Sequence, residues 1–222
     1  MKREIITTGD GSKTIQITDW NEQYHSKHGA IQEAYHVFIK HGLDLFGKAS
    51  VDILEIGLGT GLNAFITLLE AEKGKYKVSY CGAEAYPVAW EEASQLDYVT
   101  ALEVTDKEKV FKQLHKAPWE IPTEITPFFT LTKKKMDFND IDFQVMFNLI
   151  YFDAFGARVQ PELWTVAIFR KMFCALKSEG YLVTYAAKGS VRRAMQEVGF
   201  IVERLPGPPG KREMLRGKKP SS

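Results

Sequence analysis

In this 222-residue chain the first place where chemistry could occur is the run Leu54-Glu55-Ile56-Gly57-Leu58-Gly59-Thr60-Gly61-Leu62-Asn63. An apolar strand pattern passes there through three alternating glycines into a helical pattern. Glycine tolerates positive φ and lets a ligand approach the backbone, and the helix that follows offers unpaired amide donors. The spacing is G-x-G-x-G with an acid two residues ahead, not the G-x-G-x-x-G of a dinucleotide turn. It predicts a cofactor-binding turn, with a purely structural strand–helix turn as the alternative. Glu55 would either steer a cationic part of the ligand, directly or through water, or hold the turn backbone. Glu84 ends the next strand pattern, Gly82-Ala83-Glu84, where a carboxylate can accept from two ribose hydroxyls. Asp153 follows four apolar residues, Leu149-Ile150-Tyr151-Phe152. A carboxylate in that position is partly desolvated and is either catalytic or an acceptor for loop amides. His25, His28, His36 and His41 lie close in sequence, but their spacing and the lack of accompanying carboxylates predict no metal site. No serine elbow or reactive-cysteine pattern competes for the chemistry.

Those residues need a sheet to position them. Apolar runs at 51–56, 78–83, 128–133, 149–152, 181–185, 201–205 and 212–215 alternate with helical patterns, the mark of an α/β domain with a largely parallel sheet. Runs such as LIYF and YLVTY are apolar on both faces, as strands covered on two sides must be. Ile31, Ala34, Tyr35, Phe38 and Ile39 share one helical face, and Gly42 is a stop. Thr105 with Glu108 reads as a capping box. Pro161 opens a helix whose inward stripe is Trp164, Ala167, Ile168, Met172 and Ala175. Another begins at Ser190, with Val191, Ala194, Met195 and Val198 inward, Arg192 and Arg193 outward, and Gly199 ending it. The segment PGPPGK can continue neither strand beside it and predicts a loop in an antiparallel hairpin.

Composition narrows the class. The chain is 45% hydrophobic and 26% charged, with no apolar run near the ~18–20 residues that span a bilayer and no apolar core in its first residues for a signal peptide. Two cysteines, Cys81 and Cys174, exclude a disulfide framework and suit a reducing cytoplasm. The expected organisation is one domain over 1–222, with 1–48 as an extension or lid over the site and 217–222 as a frayed tail. The net charge of +1 hides an asymmetry: residues 188–219 hold nine Lys and Arg against three acids, net +6, leaving −5 for the rest. That end is either a solvated surface or an electrostatic footprint for a polyanion.

Glu55-x-Gly57-x-Gly59-x-Gly61 resembles the first motif of class I S-adenosylmethionine-dependent methyltransferases. Longer stretches resemble one family within that class, the MnmC/MnmD-type methyltransferase domain that completes 5-methylaminomethyl-2-thiouridine in tRNA. They include Asn21-Glu22-Gln23-Tyr24-His25-Ser26, Gly29-Ala30-Ile31-Gln32-Glu33, His36-Val37-Phe38, Tyr151-Phe152-Asp153-Ala154-Phe155 and Gln160-Pro161-Glu162-Leu163-Trp164. Thr184-Tyr185-Ala186-Ala187-Lys188-Gly189, Val191-Arg192-Arg193 and Pro206-Gly207-Pro208-Pro209-Gly210-Lys211-Arg212-Glu213-Met214-Leu215 continue the likeness, and 100–135 carries least of it. The resemblance implies a Rossmann-like fold with a mostly parallel seven-stranded sheet and a C-terminal antiparallel hairpin. It also implies methyl transfer from S-adenosylmethionine to the aminomethyl nitrogen of a wobble uridine. Some family members are fused to a flavin-dependent oxidase; this chain ends about where that part would begin, so no FAD is expected.

Residue by residue, the resemblance carries the family's acid onto Asp153. Glu55, Gly57, Gly59, Gly61, Asn63 and Glu84 are the expected cofactor ligands. Asp137, after Lys133-Lys134-Lys135-Met136, aligns less cleanly as the acid near the adenine. Gln32, Glu33 and His36, read as the polar face of their helix, would form a lid, or simply meet solvent. Phe155, Trp164 and Tyr185 would stack on a flipped base or fill the core. Lys188, Arg192, Arg193, Lys211 and Arg212 would contact phosphates of the anticodon arm. Attack requires a neutral amine; Asp153, expected as a bare carboxylate, would orient it and help the surplus proton leave. Two other readings stay open: a class I methyltransferase acting on a small metabolite or protein, and a catalytically silent RNA-binding module with this fold.

Overall fold

The computed structural model describes residues 2–221. The chain opens with a separate antiparallel meander, β1 (Arg3–Thr7), β2 (Lys13–Ile17) and β3 (Glu22–Gln23). Helix α1 (Ala30–Ala34) follows and runs on without a break as a π-helical stretch, Tyr35–Lys40. Then come β4 (Val51–Ile56), α2 (Leu62–Gly74), β5 (Val78–Glu84), the short α3 (Trp90–Ala93) and α4 (Tyr98–Ala101), and α5 (Glu108–Lys116). The remaining elements are β6 (Thr123–Thr126), β7 (Phe129–Lys135), β8 (Phe147–Phe152), α6 (Val166–Ala175), β9 (Leu176–Thr184), α7 (Gly189–Glu197), β10 (Ile201–Pro206) and β11 (Glu213–Lys218).

The main sheet runs β10-β11-β9-β8-β4-β5-β7-β6. Strands β4, β5, β7, β8 and β9 are parallel, and β11 lies antiparallel between β9 and β10. This is the mostly parallel, Rossmann-like sheet with a terminal hairpin that the sequence predicted. It has eight strands rather than seven, because Thr123–Thr126 turns back and pairs antiparallel with β7 at the edge. Two apolar clusters cover the two faces: Val37, Phe38, Phe65 and Tyr151 belong to one, and Phe152, Phe169, Met172 and Met195 to the other. Strand order reverses between β4 and β8, so the crevice outside their carboxyl ends is where a ligand is expected.

Several local expectations change. Thr105 and Glu108 do not form a capping box; a 3-10 turn leads directly into α5 with no side-chain cap. Pro161 opens a 3-10 turn, and the α-helix is capped instead by Thr165, which accepts from the Ile168 amide. Ala167 faces solvent, and Phe169 occupies the buried face in its place. The tail read as frayed from Gly217 is in the sheet: Gly217 pairs with Leu182 and Val202, and Lys219 donates to the Phe173 and Leu176 carbonyls. Only Ser222 of that tail lies outside the described residues. Among the described residues no helix is long and apolar enough to cross a membrane.

Candidate active site

The parallel pairing of β4 with β8 sets Ile56 opposite Phe152, so the glycine turn and Asp153 leave the sheet side by side. The Asp153 amide donates to the Ile56 carbonyl at 2.9 Å. Gly57 has φ of 91°, and a Cβ there would stand 2.7 Å from the Asp153 carbonyl oxygen. The turn can lie this close to the acid only because position 57 has no side chain. Gly59 and Gly61 also have positive φ, and Gly61 leads into α2.

Asn63, in the first turn of α2, ties the carboxylates together. Its Nδ2 donates to Glu55 Oε1 and to Asp153 Oδ2, each at 2.8 Å, while its buried Oδ1 meets no partner. Glu55 is fully buried beneath the turn and does not line the cavity described below. Burial, which disfavours the charged form, raises its proton affinity well above that of an ordinary carboxyl. The Tyr80 hydroxyl lies close to it in the same buried spot. Glu55 reaches the cavity through Asn63, to which its Oε1 is bonded.

Desolvation pushes Asp153 up to about 7. The charge of Glu33 pushes the same way, and the Asn63 hydrogen bond and the charge of Lys211 oppose it. At neutral pH the carboxyl therefore exchanges between its two forms, where the sequence suggested a bare carboxylate. Glu84, nearly buried, accepts from the Gly59 amide at 2.9 Å and the Tyr86 amide at 2.8 Å. Asp137 caps the 3-10 turn after β7, accepting from the Asn139 backbone and side chain.

A cavity of about 430 Å³ opens over these groups. Gly57, Gly59, Asn63, Glu84, Asp137 and Asp153 all line it, so residues far apart in sequence meet in one place. Its wall includes Trp20, the stretch from Glu22 through His28, and Glu33. The segment read as a lid thus borders the site. Phe155 is only partly buried and meets Tyr24 and Trp20 edge-on, with ring centroids 4.9 and 5.7 Å away. Trp164 fills the core and donates to the Phe155 carbonyl; Tyr185 lines the cavity and donates to the Ala154 carbonyl. Arg158 ties the meander down by donating to the Trp20 and Asn21 carbonyls and to Glu22.

Other expected residues stand elsewhere. Gln32 is exposed and outside the cavity, whereas Glu33, read as part of the same polar face, is buried and inside it. His36 bonds the Pro206 carbonyl. Lys211 points inward and pairs with Glu33 Oε2 at 2.5 Å, so it is not a free surface cation. Lys188, Arg192, Arg193 and Arg212 lie outside the cavity, and no ion pair among the described residues engages them. Arg204 and Arg216, by contrast, pair with Glu213 and Glu203. Trp20 and Tyr24 were not singled out from the sequence, and His25 was weighed only as a metal ligand; the family-like stretch 21–26, which Trp20 precedes, was the signal that could have flagged them. His25 is held by Thr14, and burial lowers it to about 4, so it stays neutral. Among the described residues no group of three or more His, Cys, Asp or Glu side chains is arranged to hold a metal.

Residues 129–220 match a family described as S-adenosyl-L-methionine-dependent methyltransferase. Over 98% of its length the chain is 26% identical to the tRNA 5-methylaminomethyl-2-thiouridine biosynthesis bifunctional protein MnmC of Hydrogenovibrio crunogenus, covering 34% of that protein. It is 27% identical to the protein of that name in Burkholderia pseudomallei, over 96% of the chain and 35% of the relative. The chain thus spans about a third of the length of these curated relatives. Among solved structures it resembles MNMC2 from Aquifex aeolicus, with TM-score 0.73 and 24% identity over 100% of this chain and 73% of that one. Spermidine synthase from Thermotoga maritima shares the fold at TM-score 0.54 and 11% identity, over 99% of this chain and 72% of that one. The resemblance read from the sequence is borne out, and the fold is that of a class I S-adenosylmethionine-dependent methyltransferase.

Proposed function

We propose that this chain methylates the aminomethyl nitrogen of 5-aminomethyl-(2-thio)uridine at the wobble position of tRNA, with S-adenosylmethionine as donor. One observation carries the reading. A buried carboxyl, Asp153, leaves the sheet beside the glycine turn and lines one cavity with it, in a chain that resembles tRNA-modifying relatives along nearly its whole length.

The residues fit the donor. The cavity lining holds Glu22, Glu33, Glu84, Asp137, Asp153 and Glu162 against Lys27 and Lys211, an acidic excess suited to a cation. The unpartnered Asn63 Oδ1 is free to accept from an ammonium group. Glu84 would hold the ribose hydroxyls, Gly57 and Gly59 would let the ligand rest on the backbone, and Asp137 with Asn139 would flank the adenine. When bound, S-adenosylmethionine supplies an electrophilic methyl group on a cationic sulfur.

The protein's own task is to present a neutral amine. An alkylammonium resembles a lysine, with a pKa near ~10.4. Passing its proton to an ordinary carboxylate would cost about 9 kcal/mol; passing it to a carboxyl at about 7 costs roughly 5 kcal/mol. Asp153 would take that proton on its carboxylate and leave the nitrogen lone pair free. Asn63 fixes one carboxylate oxygen, so the other can face the amine. This makes Asp153 an acceptor as well as the orienter the sequence suggested. Phe155, with Tyr24 and Trp20 against it, offers a face on which a flipped base can stack. Residues 1–48 would act as the lid, Lys188, Arg192, Arg193 and Arg212 would hold phosphates of the anticodon arm, and the cytoplasm would be the compartment of the reaction.

The test is incubation with tRNA carrying 5-aminomethyl-2-thiouridine and methyl-labelled donor, followed by nucleoside mass analysis. Label in the 5-methylaminomethyl nucleoside is the expected result; label elsewhere, or none, overturns the proposal. A small-metabolite methyltransferase would label no tRNA, and a silent RNA-binding module would also fail to bind S-adenosylmethionine.

A further inference from the structure

Glu33 and Lys211 come from opposite ends of the chain and meet inside the cavity. Glu33 belongs to α1, is only 6% exposed, and accepts from the Ser26 amide through its other oxygen. Lys211 comes from the loop between β10 and β11; its Nζ lies 2.5 Å from Glu33 Oε2 and 4.0 Å from the centroid of the Tyr185 ring. Both line the cavity with Asp153. A buried ion pair far from a reacting group is a poor stabiliser, since desolvation offsets most of its attraction. Here the two charges act on one carboxyl with opposite sign.

We propose that the Glu33–Lys211 pair is a positioning element for Asp153, an internal electrostatic balance that keeps this carboxyl ready to take a proton from a bound amine. The inference rests on the proposed methyl transfer, and it adds a role for two residues that the sequence suggested as part of a lid and as a phosphate contact. The anion of Glu33 disfavours a second anion at Asp153, and the ammonium of Lys211 favours it. With both present the effects oppose each other, that of Glu33 being the larger. Without Lys211, the buried Glu33 would force Asp153 to stay protonated and unable to accept. Without Glu33, Lys211 would hold Asp153 as a weakly basic carboxylate and would itself repel an incoming ammonium.

The other titratable neighbours complete the setting. Glu55 and Tyr80 reach Asp153 from β4 and β5, and Tyr185 follows β9. Burial raises the proton affinity of Glu55 and of both tyrosines. Glu22, Lys27, His28, Glu84, Asp137 and Glu162 also line the cavity, with His25 neutral among them.

The test is a carbon-13 NMR titration of the Asp153 carboxyl in the full-length chain, in Glu33→Gln, Lys211→Met and the double variant, paired with the pH profile of methyl transfer. Lys211→Met should raise the Asp153 midpoint by about one pH unit, and Glu33→Gln should lower it by at least as much. The double variant should lie between the two single variants. The ascending limb of the rate profile should move with each midpoint. A purely structural clamp would lower thermal stability in both single variants without moving the midpoint in opposite directions, and that result overturns the proposal. If a single variant does not fold, Lys211→Arg keeps the charge and should leave the midpoint in place, while the double variant reports the balance; a shift in the former or a large one in the latter also overturns it. Opposite shifts in a protein that labels no tRNA would leave the balance standing and remove the proposed substrate instead.

Discussion

Asp153→Asn should make the ligand-free protein more stable at pH 8 while nearly abolishing its activity. Asparagine keeps the shape and can still accept from Asn63, but it carries no charge to desolvate. A carboxyl whose proton is held more tightly folded than unfolded contributes stability that is fully present below the unfolded pKa and is lost as pH rises through the folded one. For Asp153 that window runs from about 3.8 to about 7. Roughly three pKa units at about 1.36 kcal/mol each amount to about 4 kcal/mol. Because Asp153 keeps some solvent contact, about 2–4 kcal/mol is the expected gain for the variant at pH 8, shrinking toward zero near pH 4. Urea unfolding at pH 4.5, 6 and 8, with midpoints compared at constant slope, measures this directly. Turnover in single-turnover assays should fall by about 10²–10⁴, the usual range for a lost general base, with donor affinity much less affected. A stability difference that is absent, or that does not vary with pH, would refute the assignment of Asp153 as a desolvated acceptor. Equal losses of turnover and donor affinity would remove it from the chemistry.

Other residues yield sharper local outcomes. Gly57→Ala places a Cβ at 2.7 Å from the Asp153 carbonyl at a φ of 91°, so calorimetry should show donor binding weakened by about 100-fold and melting should show about 1–3 kcal/mol of destabilisation. Glu84→Gln turns an NH2 group toward the Gly59 or Tyr86 amide; donor affinity should fall by roughly tenfold or more, and an unchanged affinity would take Glu84 out of the ribose site. Arg192→Ala combined with Arg193→Ala should weaken tRNA binding and reduce the slope of log affinity against log salt by about 1–2. A slope identical to that of the parent protein would remove both from the footprint.

The sequence alone determined the sheet, the turn and the acids at its rim. Period-two and two-sided apolar runs mark buried strands, glycine alternation marks a turn no other residue can make, and Asp153 stood out because four apolar residues lead straight to it. These are local signals, set by backbone sterics and by burial along one segment. Tertiary structure decided which polar residues face one another. Glu55 and Glu84 look alike as acids near strand ends, yet one lies sealed under the turn and the other borders the cavity. Gln32 and Glu33 are adjacent, and the helix turns one to solvent and the other inward to Lys211, 178 residues later in the chain. The nine bases of the C-terminal end read as one field, but pairing with Glu33, Glu203 and Glu213 engages Lys211, Arg216 and Arg204 and leaves a narrower set outside. Electrostatic energies depend on separation and on the medium between charges, and a linear chain specifies neither until it folds.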